Sequence, residues 1–142
     1  MAYRPSSQGD VSVNERYERG LEIRREVLGA EYVDAAIASA DELSRPLQEL
    51  VTEYCWGEVW GRPGLPRKTR SLLNIGILTA LNRPHELQLH TAGALRNGCS
   101  ESEIVEVVLQ TAIYCGVPAA VDGMRSVRAG VAAYREETAS EH

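Results

Sequence analysis

The chain has 142 residues, 44% of them hydrophobic and 25% charged, with a net charge of −5. That length fits one domain with a real core, and the acidic balance argues against nucleic acid as the main partner. No apolar run approaches the roughly 20 residues of a membrane span and no signal peptide is visible, so a cytoplasmic location is expected.

Residues 1–13 read as a flexible tail, with Pro5, Ser6, Ser7, Gln8 and Gly9. A first helix is predicted over Asn14–Leu28. Asn14 serves as its N-cap, Tyr17, Leu21, Arg24 and Leu28 share a face, and Gly29 stops it. A second helix covers about Tyr32–Ala40. A third runs from about Ser44 to Val59, with Leu47, Leu50, Val51 and Tyr54 at helical spacing. Gly61, Pro63 and Gly64 break the chain. Pro66 suits the first turn of the next helix. That helix carries Leu72, Leu73, Ile75, Ile77, Leu78 and Leu81 on almost every side, so it should be central and buried. Pro84 opens another helix, which Gly98 ends. Ser100 and Glu103 form a capping box for Glu101–Cys115. Gly116 caps that helix, and Pro118 starts a last one that reaches about Glu137, leaving 138–142 as a tail. The fold class is all-α with six or seven helices over residues 14–137. Phe is absent, so the core must rest on Leu, Ile, Val, Ala and Tyr.

Chemistry concentrates between Trp56 and Ser71 and on the helix after it. Trp56, Glu58, Trp60, Arg62, Arg67 and Arg70 crowd one Gly/Pro-punctuated connector, the kind of segment on which sites are built. Arg67 and Arg70 stand three apart at a helix start, where anions are favoured. They fit a carboxylate clamp or ordinary salt bridging, with Glu58 as a partner. Trp56 and Trp60 are four apart and stack if the helix persists, either as a packing anchor or as the apolar wall of a pocket. Glu86 and His90 are four apart on one face. A carboxylate there would raise the imidazole pKa and hold one tautomer, and the alternative is a histidine capped by a backbone carbonyl. Tyr114 can line a cavity or pack. His85, His90 and His142 have no metal-ligand spacing, so no metal is expected. Cys55, Cys99 and Cys115 are odd in number and form no C-x-x-C, which points to three reduced thiols.

Four strings, YERGLEIRREVLG, WGEVWGRPGLPRKTRSLLNIGILTAL, HELQLHTAGALRNG and YCGVPAAVDGM, give the chain a strong resemblance to the carboxymuconolactone decarboxylase family over about Tyr17–Ala132. That family shares a superfamily with the alkylhydroperoxidase AhpD-like proteins. The redox branch carries C-x-x-C-x-x-x-H ending where His90 stands. Here Arg83 and Glu86 occupy the two cysteine positions, and the acidic residue of that branch falls at about Ser71. A dithiol peroxidase is therefore disfavoured, and a non-catalytic helical ring protein is the other alternative. The resemblance implies an AhpD-like helical bundle in a ring oligomer, a hexamer or trimer of dimers. It also implies no cofactor, and conversion of 4-carboxymuconolactone, a dianionic lactone, to 3-oxoadipate enol-lactone and CO2. For that chemistry His90 is expected as proton donor, kept basic by Glu86. Arg70 and Arg67 would bind the substrate anion or oxyanion, Trp56, Trp60 and Tyr114 would wall the pocket, and Glu58 would stand at the rim.

Overall fold

The structure, a computed structural model, describes residues 13–141. The expected tail over 1–13 lies outside them except for its last residue, which already belongs to a helix. All regular structure among the described residues is helical. In chain order it comprises α1 (Val13–Leu28), α2 (Ala30–Ala38), α3 (Arg45–Leu50), a π-helical stretch (Val51–Val59), α4 (Arg67–Ala80), α5 (Pro84–Arg96), α6 (Glu101–Cys115) and α7 (Val117–Ser140). The all-α expectation holds, and the last helix runs three residues past Glu137, through part of the expected tail. These elements fall into two compact units. One comprises the described residues up to Arg25 together with Ala30–Arg62, and the other Glu26–Gly29 with the residues from Pro63 onward.

In the first unit the body of α1 lies directly against the α3–π segment. Gly20 makes the approach possible, because a Cβ there would stand 1.9 Å from the Thr52 carbonyl oxygen. Gly57 does the same from the other side, with its virtual Cβ 2.4 Å from the Arg16 carbonyl oxygen. Ion pairing fastens the contact: Arg16 reaches Glu53 at 3.2 Å, and Arg19 Nη2 donates to the Gly57 carbonyl at 2.9 Å. The predicted single helix over Ser44–Val59 is in fact two kinds of helix. From Val51 the backbone widens, and the Trp60 N–H reaches back five residues to the Cys55 carbonyl at 2.9 Å. Side chains take carbonyls from the ladder here. The Thr52 hydroxyl donates to Gln48 O at 2.7 Å, and Arg19 takes Gly57 O. Hydrophobic spacing carries no trace of the change in helix type.

The second unit is built from α4–α7. Its core is Ile75, Leu87, Ala94, Ile104, Val108 and Val127, with Cys99 and Ala120 at its edges. α5 and α7 cross closely at Gly130, where a Cβ would stand 2.5 Å from Gln88 O. The capping box forms as predicted: Glu103 N–H donates to Ser100 Oγ and Ser100 N–H donates to Glu103 Oε1, both at 3.0 Å. Between α6 and α7, Gly116 takes φ +106°, a value other residues rarely adopt.

One expectation is corrected. α4 is not buried all round. Ile75, Ser71 and Thr79 are buried, but Leu73, Ile77 and Leu81 are 54%, 42% and 61% exposed. The helix packs one face against α5–α7 and leaves the other bare. Alongside it, α6 exposes Leu109, Ile113 and Tyr114.

Candidate active site

Pro66 adopts an extended conformation and forms the N-cap itself, so α4 begins at Arg67, one residue later than the first-turn placement predicted for the proline. From that start Arg67, Arg70 and Asn74 follow at i, i+3 and i+7, on one face of α4. α5 begins with Pro84 at its first position, which sets the phase that carries Glu86 and His90, one turn apart, on a common face. The two helices meet at a polar contact: the Asn74 side-chain amide lies 3.4 Å from His90 Nδ1. With the amide nitrogen donating, Nδ1 is an acceptor and the ring proton sits on Nε2. Arg70 is half-buried one turn before Asn74. Asn74 is the residue that sequence reasoning missed. Its signal was its place four residues after Arg70, a polar side chain inside an apolar run.

The electrostatics of His90 reverse the sequence expectation. Burial pulls its pKa down from 6.5 to about 4, and the nearby Glu86 carboxylate raises it without offsetting that. The imidazole is therefore neutral at pH 7, not kept basic by Glu86. Placing a carboxylate at Nδ1 should oppose this. In Asn74→Asp the His90 pKa should rise by about 1–3 units, and NMR titration of the imidazole reads it. A wild-type titration in that variant would show that residue 74 does not face the ring.

The other predicted residues are distributed differently. Arg67 forms an ion pair with Glu26, as the salt-bridging alternative has it, with Glu26 and not Glu58 as the partner. Trp56 and Trp60 stack at 4.9 Å between centroids, with planes 25° apart. They are 3% and 6% exposed, which places them in the buried packing of the first unit. Glu58 lies 3.8 Å from Arg16 and 3.9 Å from Arg62. Tyr114 is 82% exposed. It lines, with Leu73, Gly76, Ile77, Val107 and Thr111, an open apolar groove of about 570 Å³ between α4 and α6, to which neither Arg70 nor His90 contributes. All three cysteines are free thiols. Among the described residues no cluster of three or more His, Cys, Asp or Glu is placed to hold a metal ion, and no helix is long and apolar enough to cross a membrane.

The Carboxymuconolactone decarboxylase family profile matches residues 45–129, from α3 into α7. The chain belongs to this family. Among its curated relatives is the nitrosuccinic acid decarboxylase npaB of Metarhizium robertsii, 49% identical over 108 residues, which are 76% of each chain. The 4-carboxymuconolactone decarboxylase of Acinetobacter baylyi is 42% identical over 105 residues, covering 74% of this chain and 78% of that one. An uncharacterized 15.0 kDa protein of Paracoccus denitrificans is 39% identical over 70 residues, about half of each chain. Membership of the carboxymuconolactone decarboxylase family, with two relatives named for decarboxylation, supports an enzyme of the carboxy-lyase class.

Proposed function

We propose that this protein removes CO2, without a cofactor, from a small dianionic acid that carries its own electron sink, with His90 as proton donor and Arg70 as the anion-binding group. The observation that supports this reading is the Asn74–His90 contact on the α4 face that Arg70 shares. When the C–C bond to the departing carboxylate breaks, its electron pair needs a destination. In 4-carboxymuconolactone the pair flows through the ring C=C into the lactone carbonyl and gives a dienolate. A proton delivered to the carbon next to the carbonyl then gives 3-oxoadipate enol-lactone. The balance is one proton consumed and one CO2 released.

A neutral imidazole is a poor acid, so His90 must be protonated when that step occurs. The arriving dianion supplies the condition. Negative charge beside a partly buried imidazole raises its pKa, so the ring takes up a proton on loading and returns it to carbon. Arg70 would hold the carboxylate that stays or the developing oxyanion. The departing carboxylate is best left away from tight cationic pairing, which would stabilise the ground state.

The substrate proposed first is 4-carboxymuconolactone, and with it a cytoplasmic role in the protocatechuate branch of the β-ketoadipate pathway. The second reading, favoured by the 49% identical relative, is nitrosuccinate, in which the nitro group is the sink and a nitronate takes the proton. Both substrates are small dicarboxylates and need the same two groups. Purified protein should release CO2 from one of them at a kcat/KM far above the other, with enol-lactone or nitroalkanoate as product. Release from neither would end this reading. Cys55 and Cys115 are exposed thiols and should be replaceable by serine without loss of turnover, which a thiol redox enzyme would not tolerate.

The working form is proposed to be a homo-oligomer, a hexameric ring. Ile113 and Leu109, 81% and 54% exposed on α6, lie beside the groove, and apolar surface of that extent commonly marks an interface. Ile113→Glu should shift the protein to a smaller species in light scattering, and an unchanged mass would remove that face from the assembly.

A further inference from the structure

α1 carries an arginine on the face it presents to α3. Arg24 is 5% exposed, one turn beyond Gly20, where the two backbones come closest. Its Nη1 donates to Gln48 Oε1 at 2.9 Å and to Thr52 Oγ1 at 3.1 Å. Both acceptors are neutral. Thr52 is held in place because its own hydroxyl donates to Gln48 O, so a lone pair is left for the guanidinium. Among the described residues both hydrogen bonds of Arg24 leave from Nη1, and its buried Nε–H has no partner. Burial pulls its pKa down while Tyr32, Cys55 and Tyr17 oppose that, and a guanidinium stays charged regardless.

A buried cation held only by neutral acceptors is expensive unless an anion completes it. The geometry also says which anion fits. With Nη1 occupied, the remaining donors lie on the Nε–Nη2 edge, two parallel N–H groups spaced for the two oxygens of a carboxylate. We propose that Arg24 is the cationic half of a carboxylate-binding site inside the first unit, gripping the anion through its Nε–Nη2 edge, with Gln48 and Thr52 fixing the guanidinium from behind.

The test uses the full chain and two probes, acetate and succinate, each titrated at constant ionic strength against chloride. In proton–nitrogen correlation spectra the Arg24 Nε–H resonance, identified by its loss in Arg24→Lys, should move downfield and saturate with carboxylate. The melting temperature should rise with the logarithm of succinate concentration. Arg24→Lys keeps the charge and loses the edge, so its carboxylate affinity should fall about 10–100-fold. In an Arg70→Met background, where the α4–α5 site no longer holds a dicarboxylate, adding Arg24→Met should abolish the remaining melting-temperature response. If the wild-type resonance moves no more with succinate than with chloride, the arginine is a structural group bonded at most to internal water and the proposal fails, whether or not Arg24→Met folds. Turnover then locates a confirmed carboxylate. A raised KM at unchanged kcat in Arg24→Lys places it on the substrate, and an unchanged KM with lost succinate response places it on a free ion.

Discussion

His90→Ala should lower turnover by about 10²–10⁴-fold, the range expected when a positioned proton donor is removed. The loss should fall on kcat more than on KM, because the imidazole acts on the carbon being protonated and not on the carboxylate that anchors the substrate. Undiminished turnover would remove His90 from the mechanism. The same side chain should also leave a mark on stability. An unfolded histidine binds its proton near pH 6.5, whereas His90 in the folded chain does so near 4. Between those values the unfolded state holds more protons, so stability rises with pH. The contribution is fully present above pH 6.5 and is lost as the pH falls to 4, about 3 kcal/mol in all. In denaturant melts between pH 7 and pH 4, wild type should lose about 3 kcal/mol of stability relative to His90→Gln, which cannot take up that proton. Parallel curves would mean that the ring is not desolvated.

Gly20→Ala should be the most damaging single methyl group in the first unit. The added Cβ would stand 1.9 Å from a backbone oxygen, and a backbone atom cannot swing aside as a side-chain tip can. Overpacking typically costs about 1–3 kcal/mol, and this contact belongs at or above the top of that range. The Arg16–Glu53 pair and the Arg19 bond to Gly57 O hang on the same close approach, so they should be lost with it. A urea midpoint within error of wild type would show that α1 and the α3–π segment can separate freely. As a comparison, Gly64→Ala meets nothing within 4 Å and should leave that midpoint almost unchanged.

Helix existence was legible because its signals are local. Ser100 and Glu103 announce a capping box, Gly116 and Pro118 a break and a restart, and both behave as their chemistry dictates. The family was legible for a related reason: WGEVWGRPGLPRKTRS carries unusual residues at fixed spacing. What escaped depends on neighbours distant in sequence. Leu73 and Ile77 look like core, and nothing local says which side of an apolar helix this chain covers itself. Glu86 beside His90 suggested a basic imidazole, yet the desolvation that outweighs it comes from the surrounding protein. Arg67 looked like half of a clamp, while its partner Glu26 lies 41 positions away. Asn74 was passed over because an amide has no charge to attract notice, and its value lies in which ring nitrogen it faces.

The π-helical stretch carries an implication about ancestry. A backbone bonding five residues back is what an α-helix becomes when it absorbs an extra residue without unravelling. Each residue of a regular helix turns the chain by about 100°, so deleting one between Val51 and Val59 would swing Trp60 out of phase with α3. The wide turn thus works as a spacer in rotation. It keeps Thr52 under Gly20 while letting the tryptophan pair face its own direction. Relatives one residue shorter here should run straight α-helix through this point and set a different side chain beneath the glycine.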